Sequence, residues 1–246
     1  HTGVNKDCVL TSDLFKKQPF VLKALFCPEH GLKGNAYAFE KIEHSKDQHD
    51  TPIYSLHGET RRPTEVMLKD IDILVYDMQD VGVRAYTYAS TLFYAMEEAA
   101  KRNIEVIVLD RPNPMGGVIV DGPMLEENFR SFIGYVNVSY CHGMTIGELA
   151  HFFNEEYGLK CKLKIIPMKG WKRAMHFDKT GLTWIPPSPH IPEATTPFFY
   201  ASTGILGEIE LVNIGIGYTL PFKVVGASWI DADFFAEHLN KLNLQG

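Results

Sequence analysis

Short apolar runs that stop abruptly at polar clusters set the rhythm of the first two thirds of the chain. Val21 to Phe26 leads into Pro28-Glu29-His30-Gly31, Ile71 to Tyr76 into Asp77-Met78-Gln79-Asp80, and Val106 to Leu109 into Asp110-Arg111-Pro112-Asn113-Pro114. Continuous apolar runs of this length suit strands buried on both faces, as in a parallel sheet. Leu163 to Met168 reads as another strand. From Thr91 to Arg102, Leu92, Ala95, Met96 and Ala99 recur at helical spacing, while Glu97, Glu98, Lys101 and Arg102 mark a wet face. Thr145-Ile146-Gly147-Glu148 has the spacing of a capping box and precedes Leu149, Phe152, Phe153 and Tyr157, with Gly158 as a stop. Alternating strands and helices predict an α/β fold, a Rossmann-like open, mostly parallel sheet covered on both faces.

The texture changes after Gly170. Pro186-Pro187-Ser188-Pro189 and Pro192 interrupt any helical period, and Gly204, Gly207, Gly215, Gly217 and Gly226 follow. The division expected from this is a Rossmann-like domain carrying strand-end catalytic motifs over 1–168 and the start of a smaller accessory domain over 169–246.

Composition narrows the function. Apolar residues make up 45 % of the 246 positions and aromatic residues 12 %, enough for a packed core. The formal charge is -6 and no basic run exceeds two residues, which argues against nucleic acid as a partner. No apolar stretch approaches the ~18 residues needed to span a bilayer. Cys8, Cys27, Cys141 and Cys161 form no CxxC pair and read as packing residues.

Ligands of open parallel sheets bind beyond the carboxyl ends of the strands. The fold inference alone therefore gathers Glu29, His30, Asp77, Gln79, Asp80, Arg84, Asp110 and Asn113 at one edge. GxGxxG, GxxxxGK and GxSxG motifs are absent, which removes the usual support for hydride transfer, P-loop phosphoryl transfer and a serine nucleophile. HExxH is also absent, although Glu29, His30, Asp77, Asp80 and His142 offer metal-ligand types from separate loops. The remaining chemistry is glycoside hydrolysis, which uses two carboxyl groups. Glu29, Glu40, Asp77, Asp80 and Asp110 are the candidates. Burial of Glu29 between Pro28 and His30 is expected to raise its pKa toward that of a general acid, and Tyr86, Tyr88, Trp171 and Trp184 offer rings for sugar faces.

Longer motifs point further. They comprise Pro28-Glu29-His30-Gly31-Leu32-Lys33-Gly34, Tyr54-Ser55-Leu56-His57-Gly58 with Arg62-Pro63-Thr64, and Asp77 through Tyr88. Leu109 through Pro114 with Gly116-Gly117, Asp121-Gly122-Pro123, His142 through Ala150, Gly170-Trp171, Pro187-Ser188-Pro189 and Gly226 through Asp231 follow in order. In this the chain resembles the exo-β-N-acetylmuramidase family (NamZ, or YbbC-like) along nearly its whole length. The resemblance implies a bacterial glycosidase that removes N-acetylmuramic acid from the non-reducing end of peptidoglycan-derived glycans, with no cofactor and no bound nucleotide. It also implies a Rossmann-type domain joined to a smaller one, and action outside the cytoplasm, secreted or periplasmic. Glu29 is then the catalytic acid, with Glu40 or Asp80 as the second carboxylate. His30, Asp77, Gln79, Arg84, Tyr86, Asp110, Arg111, Asn113 and His142 fall at matching positions as substrate-binding residues, and no metal is implied.

Against that family pattern the chain looks trimmed at both ends. A strand ahead of Thr2-Gly3 and much of the smaller domain beyond Asp231 are expected to be missing, and any export signal lies ahead of His1. Ile216 stands where the family carries an Arg, Glu210-Leu211 where it carries Thr-Asn, and His190 where it carries Asn. Isoleucine cannot hold a carboxylate in the bidentate way of a guanidinium. Two alternatives therefore stay open: a muramyl-sugar-binding relative with impaired catalysis, and a metal-dependent hydrolase using the same edge. Oligomeric state is not set by the sequence.

Overall fold

Strands do precede the polar clusters; those before Glu29 and Asp77 are shorter than the apolar runs that announce them, and the one before Asp110 is one residue longer. The computed structural model describes residues 1–244; Gln245 and Gly246, which close the expected accessory domain, lie outside them. In chain order come α1 (Thr11–Phe15), β1 (Leu25–Cys27), β2 (Ser45–Lys46), β3 (Pro52–Ser55), β4 (Ile73–Tyr76), α2 (Thr87–Lys101), β5 (Glu105–Leu109), α3 (Ile146–Glu156), β6 (Leu163–Ile166), α4 (Thr196–Glu208) and α5 (Ala232–Lys241).

The fold is α/β, with its strands in two three-stranded sheets rather than one continuous sheet. In the first, β1 pairs in parallel with β3, Leu25 opposite Ile53, and β2 adds antiparallel to β3. The second runs β4-β5-β6 and is parallel throughout, with Ile73 opposite Glu105 and Val106 opposite Leu163. Helices α2 and α3 make its crossovers, which is the β-α-β grammar read from the sequence. Apolar runs report burial and not the partner of a strand, so the split into two sheets was not visible in them. The burial itself is also uneven. Central β5 hides Val106 and Val108 completely, whereas Ile73 at the start of β4 is 47 % exposed, because β4 lies at a sheet edge.

The core lies between the second sheet and its two helices. Leu92, Met96 and Ala99 of α2 pack with Val106, Val108, Ile146, Leu149 and Phe153, and the Phe93 and Phe153 rings sit 4.4 Å apart. Phe26 of β1 packs against the same cluster, which joins the two sheets through side chains. Helix α2 starts at Thr87, earlier than its apolar period suggests, since Thr87 and Ser90 are buried polar residues. Helix α3 begins with the expected capping box: Glu148 N–H donates to Thr145 Oγ1 and Thr145 N–H to Glu148 Oε2. Cys27, Cys141 and Cys161 are buried free thiols, and burial pushes Cys161 up to about 11.

The chain divides into two compact units, 1–197 and 198–246, a division later than the change of texture at Gly170. The proline-rich segment packs within the first unit despite breaking every helical period. Tyr88 Oη donates to Pro187 O at 2.6 Å, Trp184 Nε1 donates to Ile191 O, and Ile191 is buried. In the second unit, Asn213 and Gly226 exchange backbone hydrogen bonds, and Thr203 Oγ1 of α4 donates to Phe222 O. Sequence period hides α4, because it is apolar all round and holds two glycines. Asp231 caps α5 by accepting from Phe234 N–H, and no residue of α5 is buried. Among the described residues no helix is long and apolar enough to cross a membrane.

Candidate active site

Glu29 stands at the turn that follows β1. His30 (φ 71°) and Gly31 (φ 75°) both take left-handed conformations, a strained one for histidine, and fold the chain back sharply. Glu29 is 6 % exposed, yet its carboxylate is surrounded by polar groups. Phe39 N–H donates to Oε1 at 3.1 Å, Thr87 Oγ1–H donates to Oε2 at 2.7 Å, and His57 Nε2 lies 3.6 Å from Oε1. Burial alone raises the carboxyl pKa, but the hydrogen bonds from Phe39 and Thr87, with His57 and His30 nearby, outweigh it and hold the pKa below its ordinary value. This reverses the expectation that desolvation makes Glu29 a proton reservoir. The group is an ionised acceptor at neutral pH.

The rings around it are fixed by their neighbours. His57, beyond the end of β3, is buried, which lowers its pKa although Glu29 acts in the opposite sense. Its Nε2 faces a carboxylate, which assigns the proton to that nitrogen, and Nδ1 is buried without a hydrogen-bond partner. His30 Nδ1 lies 2.9 Å from Ala36 O, an acceptor only, so Nδ1 carries the proton there. The Tyr86 and Tyr88 rings meet at a tilt of 59° with centres 4.8 Å apart and lie 6.5 and 6.3 Å from the His30 ring. His57 and Thr87 were absent from the residues first singled out as catalytic or binding. His57 sits in a strand-end motif like the others, but nothing in the sequence marks it as facing a residue on another strand.

The remaining strand-end side chains come together as the fold inference required, and most are bonded to one another. Asp77 Oδ1 accepts from Arg111 Nε at 2.6 Å, Asp77 Oδ2 accepts from Thr11 Oγ1, and Arg111 reaches on to Val4 O. Gln79 Nε2 donates to Asp80 O and Pro112 O. Asn113 Nδ2 donates to Met144 O, its Oδ1 accepts from Met115 N–H, and Gly82 is needed because a Cβ there would lie 2.3 Å from that oxygen. Asp110 accepts from Thr145 Oγ1 and from the N–H of Gly147. Arg84 donates to Pro123 O and Val138 O. These side chains lock loops together. Asp80 accepts from Gly82 N–H at 2.8 Å and lies 3.4 Å from His142 Nε2, both being buried. Met144 N–H donates to His142 Nδ1, so the His142 proton is on Nε2, facing Asp80.

Glu40 is exposed and accepts from Tyr37 N–H in its own loop, one residue beyond the Phe39 amide that holds Glu29. The aromatic residues proposed for sugar faces sit otherwise than expected: Tyr86 and Tyr88 are buried, and Trp184 packs edge-on against Phe177. Two surface hollows, of about 550 Å³ beside Arg62 and Lys101 and about 450 Å³ beside Asp110 and His151, are not lined by Glu29. Among the described residues no three His, Cys, Asp or Glu side chains converge as a metal-ligand set. In the second unit Ile216 is 40 % exposed.

Residues 1–195 match the family description "Exo-beta-N-acetylmuramidase NamZ, N-terminal", and residues 198–246 match its C-terminal counterpart. The chain is 45 % identical over 248 aligned residues to the peptidoglycan beta-N-acetylmuramidase NamZ of Bacillus subtilis (strain 168), an alignment covering 99 % of this chain and 59 % of that protein. Two crystal structures of DUF1343 family proteins from Bacteroides fragilis NCTC 9343 are also similar. One has a TM-score of 0.92 at 48 % identity, covering all of this chain and 63 % of that one. The other has a TM-score of 0.78 at 35 % identity, covering 92 % and 60 %. The chain thus spans about three fifths of each relative's length.

Removing the cation from the Asp77–Arg111 pair leaves a largely desolvated carboxylate with only the Thr11 hydroxyl as side-chain donor. Arg111→Met is expected to lower unfolding free energy by about 3 to 5 kcal/mol, read from the urea midpoint. A change below about 1 kcal/mol would show that Arg111 does not tie these loops together.

Proposed function

The chain belongs to the exo-β-N-acetylmuramidase NamZ family, and on that premise we propose that it is a glycoside hydrolase releasing N-acetylmuramic acid from the non-reducing end of peptidoglycan-derived glycans. The observation that carries the reading is the Glu29 carboxylate. Both of its oxygens are held by donors from other segments, with a buried imidazole 3.6 Å away. Peptidoglycan as substrate implies work outside the cytoplasm.

Held in its ionised form, Glu29 suits the carboxylate that faces positive charge developing at the anomeric carbon, by attack or by electrostatic stabilisation. The donors raise no barrier to that role, since they fix the direction of the carboxylate before substrate arrives. Delivery of a proton to the leaving oxygen falls to a different group. That role passes to Glu40, which is exposed and lies on the loop whose Phe39 amide holds Glu29. Asp80, engaged by Gly82 and His142, is less free to act on substrate.

Glu29→Gln keeps an acceptor oxygen for the Phe39 N–H, lets its amide donate to Thr87 Oγ1 instead of accepting from it, and removes the charge. It is expected to lower kcat on a muramyl disaccharide about a thousandfold with the melting temperature nearly unchanged; turnover within about threefold of wild type would discard the role.

The pH dependence follows from the sign of the shift. A carboxylate whose pKa is lowered stays charged above that pKa, so the loss of kcat/KM on acidification that reports protonation of Glu29 is expected only below the ordinary carboxyl value of 4.5. Activity that already declines between pH 4.5 and 7 as the solution becomes more alkaline, and does so in the Glu40→Gln variant too, would return Glu29 to the acid role.

Glu40→Gln should slow release of a sugar leaving group, which needs a proton, at least tenfold more than release of 4-nitrophenol, which does not. Equal losses on the two substrates would remove Glu40 from proton delivery.

A further inference from the structure

Three exposed or partly exposed rings border Glu29, and the reaction as described uses none of them. Phe39, whose amide donates to the Glu29 carboxylate, is 79 % exposed, and Tyr37 is 62 % exposed. The Tyr37 ring stacks on His190 with centres 5.6 Å apart and planes 29° from parallel. His190 in turn interacts electrostatically with His30, which follows Glu29 in the chain. The Phe39 amide places the loop that carries Tyr37 and Phe39 against the carboxylate.

The backbone supports a functional reading. Phe39 has φ 66°, a left-handed conformation costly for a bulky side chain. Strain of this kind persists where surrounding structure imposes it and clusters at ligand sites. Here it brings the amide onto Glu29 while leaving an apolar ring in water. Tyr86 and Tyr88, the other aromatic residues at this turn, are buried and present no open face.

We propose that Tyr37, backed by His190, and Phe39 form a stacking surface for a pyranose ring on the leaving side of the scissile bond. This deepens the hydrolase reading and rests on it. The chemistry fits an N-acetylhexosamine: the C–H face of the sugar covers apolar ring surface, while its hydroxyl and amide groups remain in water. The surface is exposed whereas Glu29 is nearly enclosed, as suits the outer of two sugars joined at the reacting oxygen. His190 stands where the family pattern has asparagine, so part of this surface is particular to the chain.

The test uses Tyr37→Ala with His190→Ala. Phe39, whose amide holds the carboxylate, is left in place. On a muramyl disaccharide the double variant is expected to raise KM about tenfold with kcat within threefold of wild type. Product inhibition by N-acetylglucosamine should weaken by a similar factor, while inhibition by N-acetylmuramic acid is unchanged. Tyr37→Phe, which keeps the ring, should keep wild-type values. An unchanged KM, or equal weakening for both product sugars, overturns the proposal. Should the wild-type chain release no sugar, the hydrolase reading fails by itself. Calorimetric titration with di-N-acetylchitobiose then decides the surface: affinity lost in the double variant supports it, and equal or absent binding in both overturns it.

Discussion

A carboxylate removed from water must find donors, and the polar edge of this fold is arranged around four that have done so. Glu29, Asp77, Asp80 and Asp110 each stand at or just beyond a strand end, buried or half-buried. Three take donors from remote segments, Glu29 from Phe39 and Thr87, Asp77 from Thr11 and Arg111, and Asp110 from Thr145 and Gly147, whereas Asp80 accepts from Gly82 two residues on and keeps Oδ1 without a hydrogen-bond partner. Loss of a donor costs the desolvation of a charged group, which exceeds the net worth of an ordinary hydrogen bond. The loops are therefore fixed by their acids, and a rigid edge is what a reacting carboxylate requires.

Two of the four carboxylates also face an imidazole, and the pairs differ. His142 uses Nδ1 to accept the Met144 amide and directs Nε2 toward Asp80, so its tautomer is determined by the backbone. His57 has no such anchor on Nδ1, and its ring is oriented by packing and by Glu29. The Asp80 pair is set in structure alone. Each pair keeps buried polar atoms without a hydrogen-bond partner: His57 Nδ1 in the first, Asp80 Oδ1 and His142 Nε2 in the second.

Much of this was legible in the sequence, for identifiable reasons. The β-α-β units followed from apolar runs alternating with helical period, and the start of α3 from the capping box Thr145 to Glu148. Gathering of Asp77, Gln79, Asp110, Arg111 and Asn113 at one edge followed from strand-end placement. What those residues do there was not legible, because it depends on partners such as Arg111 for Asp77, which are remote in sequence. The same holds for the ionisation of Glu29: its donors lie 10 and 58 positions away, so only the burial that raises its pKa was foreseeable. Helices α4 and α5 escaped for a different cause. One lacks a polar face, and the other follows glycine-rich chain that reads as loop.

The register of the second sheet bears on how the chain reaches this state. Val106 pairs with Leu163, and the intervening chain contains, before α3, a long irregular stretch whose only helical element is a single short turn, Glu127–Phe129. Closing so long a connection costs entropy before any contact repays it, and topologies of this kind fold slowly. The β4-α2-β5 unit closes a shorter span, so it is the natural nucleus, with β6 arriving late. Until then one side of β5, whose Val106 and Val108 are fully buried in the finished sheet, is an open edge, and that interval is when the newly made chain is most exposed to aggregation.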